Sequence, residues 1–446
     1  MFSTVLHSLL HQMLLLFGLT FVLAVVIVSL QFLSFGAQRK LYGVYSQPSV
    51  WFWIKFYVAR LLIRLQRRRK EKSNDKFSGD VFRMSKDDRM KRLPVSLMEN
   101  IHQLPADFAF AGDCIFFNGS NSSGYYFTFG LAQRQNAIAN LFCVLKVPGR
   151  GTFINEELLN NSNVKTCSTT KEYRTESGFR VVCEKPMEKW RIRFDGVFVD
   201  VKNLQQNLKK TGPEDQPVGI KQLQTSFEFE WNAKVKSDFF NFETDVSCDL
   251  IARSLALETW SRELFAKLES KHQIHYEQFG KLNGSLRIDD QDFDVQLTSM
   301  RDHTIAPYRR WTDLRRQVFS YVMVMFHLED GTCVNTSVVS MPETVFSQLQ
   351  FGYIITANGS KVPICELDLQ LPFIGENKQF PDKFYYQFKT ENDGQVHHVD
   401  VRVNERLAFK MGLDLGCYIE ELMCEFEVNG QKGYGFCEVE YRIQPY

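Results

Sequence analysis

The chain has 446 residues, enough for one to three domains, and 39 of them are Phe. Helices favour Leu and Ala over Phe, so Phe placed largely in alternating runs argues for β structure and against a helical bundle. The net charge of +1 is unevenly spread: ten basic residues and one acid fall within 39–72, so the rest of the chain is acidic. That balance argues against a nucleic-acid-binding surface on the main body. The ten cysteines stand singly, without a CxxC pair, so no zinc ribbon or thioredoxin-type site is signalled and they read as buried free thiols.

In chain order, the first feature is apolar. No charged side chain precedes Arg39, and Met13–Phe35 supplies 23 almost wholly apolar residues. That is long enough to cross a bilayer as one helix. A cleaved signal peptide would have a shorter apolar core and a small-residue cleavage site, so a retained anchor over 1–38 is the expectation. All Lys and Arg follow the helix, which predicts a single-pass membrane protein with its C-terminal body in the cytosol. Six N-x-S/T sequons, at Asn118, Asn121, Asn160, Asn283, Asn335 and Asn358, pull toward the lumen, the only place they would be used.

Residues 48–70 mix Trp51, Phe52, Trp53, Ile54, Phe56, Leu61, Leu62 and Leu65 with Lys55, Arg60, Arg64 and Arg67. Aromatic and basic residues on one helix suit the headgroup layer of an anionic membrane; a plain juxtamembrane stalk is the alternative. Residues 71–95 are charged and poor in apolar residues, and read as a linker that completes a 39–104 region.

From about Asp107 short apolar runs alternate with turn residues. Phe110–Phe117 leads through Asn118-Gly119 and Asn121–Gly124 into Tyr125–Phe129, the pattern of a hairpin. Asn140–Val147, Arg180–Cys183, Trp190–Val199 and Thr225–Val235 continue it, and regular short strands of this kind predict an all-β sandwich or barrel. Asp249–Leu268 has helical spacing and reads as a connector over 249–271 between a first β domain at 105–248 and a second at 272–446. In the second, strands are predicted at 285–288, 293–299, 317–327, 333–340, 350–356, 364–370, 384–390, 397–402, 418–428 and 434–443. Asp330-Gly331, Asn358-Gly359, Asp393-Gly394 and Asn429-Gly430 mark turns between them. Gly433 and Gly435 mark a bulge or close backbone approach in the closing strand.

The candidate site is Met300-Arg301-Asp302-His303-Thr304, read as lying between two β-rich runs. Three adjacent ionisable groups there must be solvated, paired or used. His272-x-x-His275 is a weak metal signal with no third ligand in view, so neither a metal nor a cofactor is expected. No Gly-rich phosphate loop, nucleophile elbow, Walker motif or kinase signature occurs.

Together Trp190–Gly196, Tyr276-Glu277-Gln278, Arg301-Asp302-His303, Leu328–Gly331, Phe351-Gly352-Tyr353 and Gly433–Glu438 resemble a metazoan family of unknown function. Its soluble part is similar to carotenoid 1,2-hydratase and to AttH-like and tocopherol-cyclase-like proteins. The likeness covers about residues 105–446. The family's mark is Arg-Asp-His-Ser-(Trp/Phe)-Gly followed by Trp. Arg301, Asp302, His303 and Trp311 match it, Thr304 replaces the Ser, and Ile305-Ala306 replaces the aromatic-Gly pair. The resemblance implies two tandem lipocalin-like antiparallel β-barrels joined by a helix. It also implies a hydrophobic small molecule, such as a lipid or isoprenoid, as ligand.

Acid-catalysed hydration or cyclisation of an alkene needs a proton donor in a dry cavity and aromatic faces for the carbocation. Asp302 is the candidate acid, with His303 to relay its proton and Arg301 to position it. Trp311, Tyr276 and Trp190 are the candidate ligand faces. The structural alternative is that Arg301 and Asp302 form a buried pair tying a loop between the barrels. Three readings follow: a membrane-anchored binder of a hydrophobic ligand, an enzyme of hydratase or isomerase type, and a scaffold with filled barrels. A roomy apolar cavity separates the first two from the third. An unpaired, desolvated Asp302 facing that cavity favours the enzyme.

Overall fold

The computed structural model describes residues 16–18, 20–21, 39–72, 75–85, 87–159, 162–208, 220–270, 273–309, 320–342, 345–374, 380–392, 394–411 and 416–442. Two rings of antiparallel strands stand side by side. The first contains β1 (Gly112–Ser120), β2 (Tyr126–Arg134), β3 (Ile138–Val147), β4 (Gly151–Asn155), β5 (Arg180–Lys185), β6 (Lys189–Asp200), β7 (Gln222–Ala233), β8 (Ile274–Ile288) and β9 (Gln291–Ala306). Its order is β1-β2-β3-β4-β6-β7-β8-β9, with β9 returning to β1, and β5 shares the place of β4 along β6. The second is a closed barrel of β10 (Ser320–Leu328), β11 (Cys333–Ser340), β12 (Leu349–Ile355), β13 (Lys361–Leu367), β14 (Lys383–Thr390), β15 (Val396–Met411), β16 (Cys417–Val428) and β17 (Gln431–Arg442), each paired with the next and β17 with β10.

Alternation explains the walls. In β7, Leu223, Phe227, Phe229 and Trp231 point inward and are buried, while Gln224, Glu228 and Glu230 face outward. Strands β2 and β3 lack this alternation and are apolar on both faces. Their second face is covered by the other ring: Tyr126 packs on Phe436 at 5.3 Å and Phe142 on Phe409 at 5.3 Å. The turns form as their residues dictate, with Gly331, Gly359, Gly394 and Gly430 at positive φ. A Cβ on Gly435 would overlap the Met325 carbonyl, so the expected close approach is real.

A lipocalin-like barrel would hold its ligand in its lumen, but among the described residues aromatic side chains fill the lumen of the first ring. Phe227 stacks on Phe229 at 4.6 Å, Phe179 lies 4.3 Å from Phe194, and Phe117 meets Trp190 and Trp231 edge-on.

Three expectations are corrected. Strands β8 and β9 close the first ring, pairing with β7 and β1, so that ring does not end at 248. The helices before β8 are an insertion in the ring; strands on either side of them carry the same apolar pattern, and only pairing shows which ring they join. The single helix expected over 249–268 is two, α3 (Cys248–Leu257) and α4 (Arg262–Ser270), broken where the Trp260 indole turns back to donate to the Leu255 carbonyl. Residues 71–95 are not a solvated linker throughout. Phe77, Val81 and Phe82, with Met98 of α2 (Val95–Glu99), pack on Tyr276 and Ile305 of the first ring.

The expected helix over 48–70 is observed as α1 (Phe52–Glu71), with Phe56 and Ala59 buried against the body. The expected span Met13–Phe35 lies almost wholly outside the described residues, and among the described residues no helix is long and apolar enough to cross a membrane. All ten cysteines are free thiols.

Because the lumen is a packed aromatic core, Phe227→Ala should lower stability by roughly 3–5 kcal/mol in urea unfolding. A loss below about 1 kcal/mol would mean the lumen is loosely filled.

Candidate functional site

Arg301, Asp302 and His303 lie within strand β9 rather than in a loop, and the pleat separates them. Arg301 and His303 face the first ring's lumen; Asp302 and Thr304 face outward, toward the second ring.

The inward group is a closed network at the end of the ring. The Arg301 guanidinium donates to Glu99 of α2 at 2.8 Å and to Gln278, and both charged side chains are about 1% exposed. Its carbon lies 5.2, 5.0 and 5.5 Å from the ring centres of Trp190, Trp231 and Tyr276. Two of the aromatic faces expected to serve a ligand, Trp190 and Tyr276, therefore serve a guanidinium. Glu99 also accepts from the Trp190 indole at 3.0 Å and from the Met187 amide at 2.9 Å.

His303 contacts Asp113 through Nε2 at 2.6 Å and the Tyr276 hydroxyl through Nδ1 at 2.9 Å, and Tyr173 donates to Asp113 at 2.9 Å. Burial alone pushes Glu99 and Asp113 up, but Arg301 beside the first and His303 beside the second outweigh it and hold both below the ordinary carboxylate range. None of Arg301, His303, Tyr276 and Trp190 lines the cleft described next. Trp311 lies outside the described residues. Arg301 is paired, as the structural alternative held, but with Glu99 and not with Asp302.

Asp302 opens onto a cleft of about 550 Å³ between the two rings. Phe116 and Phe142 line one wall, Tyr321, Met323, Val339 and Phe351 the other, and Phe242, Val246 and Leu268 its rim. Asp302 is partly exposed and no described residue hydrogen-bonds to its carboxyl. Desolvation raises its pKa to about 6; His275 opposes that shift and Glu277 adds to it.

These two neighbours come from β8, where Glu277 is the cross-strand partner of Asp302 and His275 that of Thr304. His275 bonds Thr304 Oγ1 through Nδ1 at 2.7 Å and Glu277 through Nε2 at 3.1 Å. Burial depresses the His275 pKa, but Glu277 and Asp302 outweigh it, and the net shift is upward. Glu277 is buried, and Asn335 of the second ring donates to it at 2.5 Å. A second acidic pair borders the cleft: Glu438, which accepts from the Tyr321 hydroxyl, and its cross-strand partner Glu421, fully buried. Burial raises both above the ordinary carboxylate range.

In the sequence His275 drew notice only as half of a weak metal signal and Glu277 only as part of the resemblance; neither was expected beside Asp302. The usable signal was period two: in Ile274–Phe279 they share one face, opposite Tyr276 and Gln278.

The family model of DUF8627, a family of unknown function, matches residues 20–441. The chain belongs to that family. Among solved structures, this DUF8627 protein is similar to an AttH-type protein of Nitrosomonas europaea, at 11% identity and TM-score 0.43, over 77% of this chain and 97% of that one. It is also similar to kievitone hydratase of Nectria haematococca, at 10% identity and TM-score 0.40, over 78% and 94%. No curated protein matches it in sequence. Among the described residues of the DUF8627 chain, no group of three or more His, Cys, Asp or Glu is placed to hold a metal ion.

The two faces of β9 should respond oppositely to mutation. Arg301→Ala strands Glu99 in the core and should cost roughly 3–5 kcal/mol in chemical denaturation. Asp302→Asn should not destabilise. The folded Asp302 binds its proton more tightly than the unfolded chain between pH 3.8 and about 6, so wild-type stability declines across that window as pH rises. Asp302→Asn removes that decline. Parallel stability curves for the two proteins from pH 4 to 7 would contradict the assignment.

Proposed function

We propose that the cleft between the rings binds a hydrophobic small molecule and that Asp302 protonates a carbon–carbon double bond in it, a reaction of hydratase or isomerase type. The observation that carries this reading is Asp302 itself, an unpaired carboxyl in a largely apolar cleft with its pKa raised to about 6. Glu99, by contrast, is held by an ion pair and several hydrogen bonds. A cleft of about 550 Å³ suits one small ligand.

The chemistry follows from the side chains. Protonated Asp302 gives its proton to one alkene carbon, and positive charge develops on the other. The faces of Phe116, Phe142 and Phe351 stabilise that charge. Water then adds to the cationic carbon and returns a proton to the Asp302 carboxylate. Loss of a proton from the adjacent carbon to Asp302 moves the double bond instead. His275, oriented by Thr304 and Glu277, sets the acidity: its positive charge lowers the Asp302 pKa and makes a stronger acid.

A carrier of the same ligand is the second reading, favoured by the apolar lining, which binds without any need for Asp302.

Mass spectrometry of small molecules extracted from the natively purified protein names the compound class to assay. With that substrate, Asp302→Asn should lower turnover by roughly 10²–10⁴-fold while leaving ligand retention intact. Retained ligand with no turnover in the wild-type protein would establish the carrier, and a recovered protein that takes up no apolar ligand would sink both readings. Turnover should fall as pH rises above about 6, where Asp302 loses its proton. His275→Gln removes the positive charge, so the limb should move to higher pH; a limb that stays in place removes His275 from the mechanism.

A further inference from the structure

Helix α1 is docked on one face and bare on the other. On the docked face, Phe56 and Ala59 are buried, Lys55 Nζ donates to the Glu258 carbonyl at 2.8 Å, and Arg60 meets Asp249 at 2.5 Å. Further along, Arg67 donates to the Val246 carbonyl at 2.5 Å and Lys70 pairs with Glu243 at 3.0 Å. Three of the basic residues expected to face lipid, Lys55, Arg60 and Arg67, are thus used to hold the helix to the body.

The bare face carries Trp53, Ile54, Tyr57, Leu61, Leu62 and Leu65, each 45–61% exposed. Spacings of three and four residues gather most of them into one stripe along the helix. Arg68 and Arg69 are exposed beside the stripe's end, and among the described residues neither has an ion-pair partner. Six large apolar side chains in a row on one helix are not the scattered exposure that any surface shows.

We propose that this stripe lies in the headgroup layer of an anionic bilayer and that α1 holds the rim of the cleft against that membrane. Three observations select lipid as the occupant. The stripe combines Trp and Tyr with Leu and flanking Arg, the composition that partitions to the interface. The free charges at its end are positive and complement anionic headgroups. The 23-residue apolar stretch Met13–Phe35 ends only a short way before α1 begins, so its insertion would bring the helix to the membrane surface. The helix is tied at Val246 and Glu243, and both residues line the cleft. The helix that would meet the bilayer is therefore bonded directly to two residues of the cleft wall. This inference is independent of the proton chemistry proposed above and holds equally for a carrier.

The test uses the full chain, with benzoylphenylalanine in place of Tyr57 and, as control, of Tyr385, which is 79% exposed on the second barrel. Each protein is mixed with phosphatidylcholine vesicles with and without phosphatidylserine, floated, illuminated and analysed by mass spectrometry. The expected result is lipid adducts at position 57 and none at 385. Arg68→Glu with Arg69→Glu should cause loss of the adduct that depends on phosphatidylserine. Attachment of the position-57 probe to residues 13–35 would show that the apolar stretch packs on the stripe, and would overturn the proposal. Protein that fails to float, or that floats without a position-57 lipid adduct, overturns it as well. A normal adduct in a catalytically silent protein would sink only the proposed reaction.

Discussion

The ion pair between Arg301 and Glu99 is the contact on which the first ring's architecture turns. A guanidinium enclosed by Trp190, Trp231 and Tyr276 is tolerable only with an anion at hand, and the ring strands place none beside it. The anion comes from α2, so the segment holding Phe77, Val81, Phe82 and Met98 must close over the end of the ring. Tyr276 links the same carboxyl to His303 and Asp113, and the cluster becomes one hydrogen-bonded plug rather than a set of separate pairs.

That arrangement also decides what Asp302 can do. Arg301 is occupied on one side of β9, and the pleat puts Asp302 on the other, out of its reach. The second ring then faces the outer side of β9 across the cleft and desolvates Asp302 in part without supplying a partner. Desolvation with no compensating hydrogen bond is what raises a carboxyl's pKa, and here it does so beside a histidine held in place by a buried glutamate. The unpaired carboxyl thus lies between the rings, while the interior of the first ring is occupied by packing. Burial acts in the same direction on the cross-strand carboxyls Glu421 and Glu438, and Glu438 raises Glu421 further.

Much of the fold was legible because its signals are local. Nearly every strand of the second ring was placed within a few residues, since apolar runs and turn dipeptides such as Asn429-Gly430 need no long-range information. The ring boundary was not legible. Ile274–Ile288 carries the same apolar periodicity whichever ring it joins, and the choice depends on the backbone hydrogen bonds that β7 and β1 would otherwise leave open. The segment before α2 was taken for linker because its few apolar residues have no period; they pack as a cap and not as an element. The site was half legible. Asp302 stood out in a dense ionisable run, but His275 and Glu277 lie some 25 residues away and become its neighbours only through the register of β8 on β9.

The sequence by itself determined that this is a β-rich chain of short strands with an apolar N-terminal stretch, a basic aromatic helix and an Arg-Asp-His run, because composition and periodicity are properties of neighbouring residues. Tertiary structure alone decided which of those three side chains is enclosed and which is left free. Side chains one residue apart on a strand point to opposite faces, and what each face meets is set by strands and a helix that are remote in the chain. The same separation assigned Lys55, Arg60 and Arg67 to the body and left Trp53, Tyr57 and Leu61 outside. A helix's periodicity defines two faces, but only the partner it docks against determines which one is buried.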